Sequence, residues 1–322
     1  MTDLSRRAFA LGLPTATLIA GIHSTPAGAV STRTKFTPAR VTPLAQTNIG
    51  RFTVTALSDG YADMPFGYFP GRAAQEVEAT AKAQFAAQPT GIRFVFNQYL
   101  IEDGETRILI DTGPAGLLGQ SGQLPQALAA LDLNRDQIDV VIVTHMHQDH
   151  IGGLVAGGKA NFPRAELYID RRDVAHWTDP AKRTAAPDYL QNSFKLSADV
   201  VRLYPKLQAI DGEREIVRGV SIVDLTGHTP GHIGVRVADS GQSLLMVSDM
   251  LFPVVHPAAT DVNFLFEQDR AAAQAMRARF FPRAAEEGAL IAATHLPFPG
   301  LGRIVSDNGR WRWVTAAWAY QN

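Results

Sequence analysis

The stretch Thr144-His145-Met146-His147-Gln148-Asp149-His150 constrains this chain more than any other, because it leaves the apolar run Val140-Val141-Ile142-Val143 and passes into Ile151-Gly152-Gly153. Three imidazoles and a carboxylate within six residues are too polar to fill a core. Residues two apart in an extended segment point the same way, so His145 and His147 can face one ion together. The chain then turns, and Asp149 and His150 can face a second. A lone His-x-His pair would be weak, since alternate imidazoles on a strand are often a satisfied polar face. The added Asp-His makes a two-metal site the simplest account, and the nitrogen and oxygen donors suit Zn²⁺.

Other predicted strands supply further donors in the order such a site needs. After Val220–Leu225 comes Thr226-Gly227-His228-Thr229-Pro230-Gly231-His232, a turn punctuated by Gly and Pro that carries two histidines, one of them expected to be a ligand. Ser243–Val247 ends in Ser248-Asp249, and Ala289–Ala293 ends in Thr294-His295. Five of the nine histidines, His145, His147, His150, His232 and His295, enter this scheme. His23, His176 and His256 read as peripheral, whereas His228 suits a donor that orients a ligand or braces the turn. Asp59 in Ser58-Asp59-Gly60 and Asp111 in Asp111-Thr112-Gly113 are candidates for the same supporting role, with turn capping as the plainer alternative.

The chain is long enough, at 322 residues and 46% hydrophobic, for one large domain or two small ones, and no linker or repeat divides it after residue 50. A net charge of −1 gives no basic surplus for tracking phosphates, which argues against nucleic acid as a partner. Ser5-Arg6-Arg7-Ala8-Phe9, the mildly apolar Ala10–Ile22 and Ala27-Gly28-Ala29 read as a twin-arginine export signal over residues 1–29, so a periplasmic or secreted location is expected. The apolar stretch is too short for a stable membrane span, and Pro14 interrupts it. Residues 30–48 read as a flexible arm, leaving 49–322 as one domain. With no cysteine, neither disulfides nor a thiolate ligand is available, and stability must come from core burial and metal.

Alternating elements fit a layered α/β fold. Strands are expected over Phe52–Leu57, Arg107–Ile110, Val140–Thr144 and Ala165–Ile169, and helices over Leu124–Leu131, Arg171–Trp177 and about 188–207. Glu267–Glu287 has the pattern of a surface helix interrupted near Pro282. Asn308-Gly309 tolerates the positive φ of a hairpin turn between 303–306 and 311–315.

This arrangement resembles the metallo-β-lactamase superfamily from about Phe52 to Trp313. The resemblance implies a four-layer αβ/βα sandwich, with His145, His147 and His232 on one metal, Asp149, His150 and His295 on the other, and Asp249 bridging them. Within that superfamily the chain is similar to the methyl parathion hydrolase and dihydrocoumarin hydrolase group. The matching text is Thr55-Ala56-Leu57-Ser58-Asp59-Gly60, Asp111-Thr112-Gly113-Pro114-Ala115-Gly116-Leu117, Gly227–His232 and His295-Leu296-Pro297-Phe298-Pro299-Gly300. Trp177 and Phe194 fall where that group places aromatic walls of its substrate pocket. Leu118 stands where methyl parathion hydrolase has an aromatic residue, a departure that counts against organophosphate turnover. Phe66, with Tyr68 and Phe69, sits in a Pro/Gly-rich loop suited to a pocket mouth, and Phe252 completes the expected pocket. A homodimer is implied as well.

The expected function is that of a dinuclear metal hydrolase acting on a small molecule. A hydroxide bridging two divalent ions, Zn²⁺ first and Mn, Fe or Co by the same donors, would open a lactone or cleave an aryl ester, with Asp149 relaying a proton and Asp249 as bridge. Phosphotriester cleavage would follow as a side reaction. An N-acyl homoserine lactone is an alternative substrate. A β-lactam is disfavoured, because Asp249 fills a position where true metallo-β-lactamases use Cys or Ser. A glutathione thioesterase would want a basic C-terminal patch, and a persulfide oxygenase would use a mononuclear iron site. The non-enzyme alternative is a metal-binding protein without turnover.

Overall fold

Alternation along the short apolar runs sorts side chains to two faces and builds the layers. Ile108 and Ile110 face one way and Leu109 the other, and Val140 and Ile142 oppose Val141 in the same manner. The computed structural model describes residues 42–253 and 259–317, so the expected export signal, most of the expected arm, His23 and His256 lie outside the described residues. Strands β1 (Leu44–Ile49), β2 (Phe52–Met64), β3 (Ala87–Gln88), β4 (Gly91–Glu102), β5 (Arg107–Ile110) and β6 (Val140–Ile142) precede a small ribbon of β7 (Val155–Ala156) and β8 (Lys159–Ala160). After β9 (Glu166–Asp170) and β10 (Gln208–Ile210) come β11 (Glu215–Val217), β12 (Val220–Asp224), β13 (Ile233–Asp239), β14 (Gln242–Met246), β15 (Leu290–Ala292), β16 (Leu301–Asp307) and β17 (Arg310–Thr315).

The first sheet runs β1-β2-β4-β5-β6-β9-β10 with β3 on β4, and the second runs β11 to β17 in sequence order. The helices are α1 (Ala74–Ala83), α2 (Leu124–Ala129), α3 (Gln148–Ile151), α4 (Arg171–Trp177), α5 (Pro180–Ala185), α6 (Gln191–Leu203) and α7 (Arg270–Glu286). Between the sheets, Val54, Tyr99, Ile110 and Ile142 of the first pack on Ile222, Val235, Leu244 and Met246 of the second. The outer face of the first sheet carries Leu57, Leu100, Leu109 and Val141 against Leu128, Trp177, Phe194 and Val200 of α2, α4 and α6. The outer face of the second carries Ile291 and Ile304 against Phe281 and Ala284 of α7. These four layers are the expected αβ/βα sandwich.

Some boundaries differ from expectation for identifiable reasons. Leu44–Ile49, read as part of the arm, forms β1 and pairs antiparallel with β2 along its whole length, burying Ala45 and Ile49. The strand expected over Phe52–Leu57 extends to Met64 past an irregularity between Ser58 and Tyr61. Helix α7 continues through Pro282, where an interruption was expected. Phe281 and Ala284, on either side of the proline, are buried against the second sheet, and that burial offsets the missing N–H. The hairpin forms as expected, with Asn308 at φ +50° and Gly309 at φ +77°.

Candidate metal centre

Strand ends bring the ligand candidates to one edge of the sandwich. β6 runs into Thr144 and His145, the parallel β14 and β15 run into Asp249 and His295, and the turn between β12 and β13 carries His228 and His232. The sheets are bonded to one another at this edge. The Ile233 amide donates to the Thr144 carbonyl at 2.9 Å, and the Asn97 amide to the Thr294 carbonyl at 3.0 Å.

Asp249 occupies the centre. Its Oδ1 lies 3.1 Å from His150 Nε2, and its Oδ2 lies 3.0 Å from His295 Nε2, 3.4 Å from His228 Nε2 and 3.9 Å from His145 Nε2. Asp149 Oδ2 sits 3.5 Å from His295 Nε2 and 3.7 Å from His150 Nε2. The donor atoms form three overlapping groups, each within 4.8 Å: His145, His147 and His228; His145, His150 and Asp249; and Asp149, His150 and His295. Thus the structure gathers six of the seven expected ligands into these groups, and His228 stands beside His145 and His147 where His232 was expected. The His232 ring is 5.2 Å from that of His145; its Nδ1 donates to the Leu225 carbonyl at 3.1 Å, and its Nε2 is buried without a partner.

These nitrogens fit a cation. His147 Nε2, His228 Nδ1 and His232 Nε2 are all buried without a hydrogen-bond partner, and each such orphan costs about 1–3 kcal/mol in a dry interior. Burial pushes His147 down to about 3 and His232 to about 4, and holds His145 and His228 well below the ordinary histidine range. They are therefore neutral at pH 7 and present lone pairs, the state that ligation requires. Burial also opposes the charged form of His150 and His295, but the carboxylate of Asp249 overturns it and raises both. Burial likewise works against the Asp249 carboxylate, yet the surrounding imidazoles, His295 and His150 foremost, hold it well below the usual range.

The supporting aspartates play different parts. Asp111 accepts from the Thr144 amide at 2.8 Å and hydroxyl at 2.7 Å, and its Oδ2 is 2.8 Å from His150 Nδ1, which turns His150 Nε2 toward Asp249. Asp59 lies farther out. It accepts from the amides of Leu124 (2.6 Å), Gly122 (3.0 Å) and Ala115 (3.3 Å), pinning to β2 the loop that carries Leu118.

A narrow cavity of about 20 Å³ opens on the ligands, lined by Met64, Phe94, Leu118, Gln148, Ser193, Phe264 and Phe266 together with His147, Asp149, Asp249 and His295. Of the expected pocket residues only Leu118 lines it. Trp177 and Phe194 are buried behind the site, with the Trp177 ring 5.0 Å from His147. Phe252 backs the wall, 4.5 Å from Phe264 and 5.9 Å from His295, while Phe66 packs half-buried on the same aromatic cluster. Helix α7 holds the wall in place. Buried Arg277 donates to the Thr260 and Val262 carbonyls and pairs with Glu267, whose other oxygen accepts from the Phe264 amide. A larger groove of about 760 Å³ beside Phe85, Trp311 and Trp313 contains none of the ligand residues, so chemistry and not size locates the site.

Sequence reasoning missed the cavity walls Phe94, Phe264 and Phe266, and the part that Thr144 plays as donor to Asp111. The Phe94-Val95-Phe96 and Phe264-Leu265-Phe266 alternations were the available signals for the wall. His176 is half-exposed beside Lys182 and belongs to none of the ligand groups.

Residues 93–295 match the metallo-beta-lactamase superfamily, and the chain belongs to that family. Among solved structures it is similar to the hydrolase AbOPH of the beta lactamase superfamily, with 27% identity, TM-score 0.79, and coverage of 88% of this chain and 100% of that one. The dizinc quorum-quenching lactonase AidC, solved in complex with a product, shows 25% identity and TM-score 0.79 over 87% of this chain and 99% of that one. The hydroxyacylglutathione hydrolase of Aeromonas salmonicida (strain A449) is 31% identical over 139 residues, 42% of this chain and 40% of that enzyme. The chain thus spans less than half the length of this relative.

Proposed function

We propose that the protein is a dinuclear metal-dependent hydrolase that opens lactones and cleaves aryl esters. The observation that carries this reading is the meeting of two ligand groups at Asp249, on the floor of an aromatic cavity. His145, His147 and His232 would hold one divalent ion, Asp149, His150 and His295 the other, and Asp249 both, with Zn²⁺ the ion best suited to these donors. His232 is preferred to His228 as ligand because its Nδ1–H is tied to the Leu225 carbonyl, which leaves Nε2 as the lone-pair nitrogen. When bound there, two such ions would polarise a substrate oxygen and lower the pKa of water toward neutrality.

The chain's own residues supply the rest. Asp149 lines the cavity, where its carboxylate can take a proton and pass it on. Phe94, Phe264, Phe266, Leu118 and Met64 exclude water and favour an apolar acyl or aryl group. Admission of a substrate ring requires these walls to part, because the cavity is narrow. The likeness to AidC supports an N-acyl homoserine lactone as a substrate alongside an aromatic lactone. Phosphotriester cleavage would be a side reaction. We extend the proposal to an exported homodimer, which light scattering on the purified protein and fractionation of producing cells would test. Among the described residues no helix is long and apolar enough to cross a membrane.

The deciding experiment compares initial rates on dihydrocoumarin, an N-acyl homoserine lactone, a phosphotriester and a β-lactam, using zinc-reconstituted protein with His147→Ala as control. Both lactones are expected to turn over fastest and the control to lose most activity. A faster β-lactam rate would overturn the substrate class, and equal rates in the control would overturn the metal site.

A further inference from the structure

We infer that Asp173, on the first turn of α4, is a positioning residue that locks the two histidine-bearing loops together. This inference rests on the metal-site reading above. The Met146 amide, between His145 and His147, donates to Asp173 Oδ2 at 2.8 Å. The Gly231 amide, next to His232, donates to Asp173 Oδ1 at 2.7 Å. One carboxylate therefore spans loops that are more than eighty residues apart in the chain and that carry the expected ligands of one ion.

The surroundings of Asp173 are built for this purpose. Its side chain is 0% exposed, and burial pushes its carboxyl up to about 6 despite the two amide donors. A buried acid is costly unless hydrogen bonds offset its lost hydration, and here one amide from each loop does so. At Gly231 any Cβ would meet the Asp173 amide nitrogen at 2.6 Å and Asp170 Oδ1 at 2.8 Å, so the histidine turn lies flush on the start of α4. Further along the same helix, Trp177 contacts the His147 ring edge-on. Two amides converging from separate loops need an acceptor with two oxygens; an asparagine would offer one oxygen and set an NH₂ against the other amide. The polar residue between the ligating segments thus fixes the spacing of their nitrogens without touching the ions.

The test is a Co²⁺ titration of chelator-treated full-length protein, wild type and Asp173→Asn, followed by the visible spectrum and by competition with a chelator. Wild type is expected to bind two ions. The variant is expected to lose about 10- to 100-fold in affinity at one site, the scale on which groups that orient ligands act, with a changed spectrum and the other affinity preserved. Unchanged affinities and spectrum would overturn the inference. So would equal weakening of both sites with a matching fall in the metal-free melting temperature, since that is what a merely structural acid would do. If the variant does not fold, hydrogen exchange on metal-free wild type decides the matter: the Met146 and Gly231 amides are expected to be protected, and free exchange at either overturns the clamp. A wild type that binds no ion at all would defeat the hydrolase reading, and the exchange measurement would still judge the clamp.

Discussion

At the scale of single residues, the site depends on side chains that orient histidines as much as on the histidines. Asp111 adopts φ +59°, a left-handed conformation that a non-glycine residue takes at some cost, and from there reaches both Thr144 and His150. Asp111→Ala would leave the Thr144 amide buried without its acceptor and free the His150 ring to rotate. Each lost buried partner costs about 1–3 kcal/mol, and loss of a ligand's orienting group typically lowers metal affinity about 10- to 100-fold. We expect both effects, read by urea unfolding and by zinc competition with a chelator, whereas unaltered zinc affinity would show that His150 needs no such support. The ligands themselves were legible because imidazoles and carboxylates gathered at the ends of apolar strands have little to do there except hold a cation. His228 and His232 were separable only in part, since spacing places both on one turn and ring orientation decides between them. Asp173 was invisible, because an acid on the first turn of a short helix looks like any surface acid until the loop it faces is known. Trp177 was visible but misplaced: an aromatic near a site can line the cavity or stand behind its ligands, and only packing tells which.

At the scale of elements, strands with alternating apolar residues were legible to within a few residues, while β1 was not. Its two buried apolar side chains, Ala45 and Ile49, are four apart amid polar neighbours, so pairing with β2 rather than pattern defines it. The junction of α4 with β12 shows how elements are fastened beside the site. Arg172 Nη2 reaches Asp170 Oδ2 at 2.8 Å and Asp224 Oδ1 at 2.9 Å, joining the helix start to the end of β12, just before the histidine turn. Partial burial works against the Asp224 carboxylate, but the Thr226 hydroxyl and Arg172 together hold it below the ordinary range. A depressed carboxyl pKa adds stability above the unfolded value of about 3.9, and that stability is lost as pH falls through the folded value. With both partners well exposed, the pair should contribute no more than about 1 kcal/mol. Asp224→Asn is therefore expected to lower metal-free stability slightly at pH 7, with the gap from wild type closing below about pH 4. Urea unfolding across that range measures it, and a gap that widens toward acid would show the sign to be wrong.

At the scale of the whole molecule, a chain without cysteine has two sources of stability, the layered apolar core and whatever fills the polar edge of the sandwich. The core is the ordinary one of two sheets and their flanking helices. The edge is not, because it concentrates buried histidines, some of whose nitrogens lack any hydrogen-bond partner, around two acidic side chains. A folded chain that binds ions which its unfolded form does not is stabilised by about 4 kcal/mol for each ion present at a thousand times its dissociation constant. For a domain of this size one kcal/mol moves the melting temperature by roughly 2–4 °C. Stripping the metal with a chelator should therefore lower the melting temperature by roughly 10 °C or more, and added Zn²⁺ should restore it. Loss should be uneven as well. The loops at 144–150 and 227–232 are held to each other through the site, whereas the strands between Val54 and Met246 are held by apolar contact that a chelator leaves intact. Amide exchange in the stripped protein should accelerate first in those loops, apart from the Met146 and Gly231 amides that Asp173 holds, and last in β4, β5 and β13. If the melting temperature were indifferent to the chelator, the orphaned imidazoles would need partners other than metal, and the edge of the sandwich would have to be stable by itself.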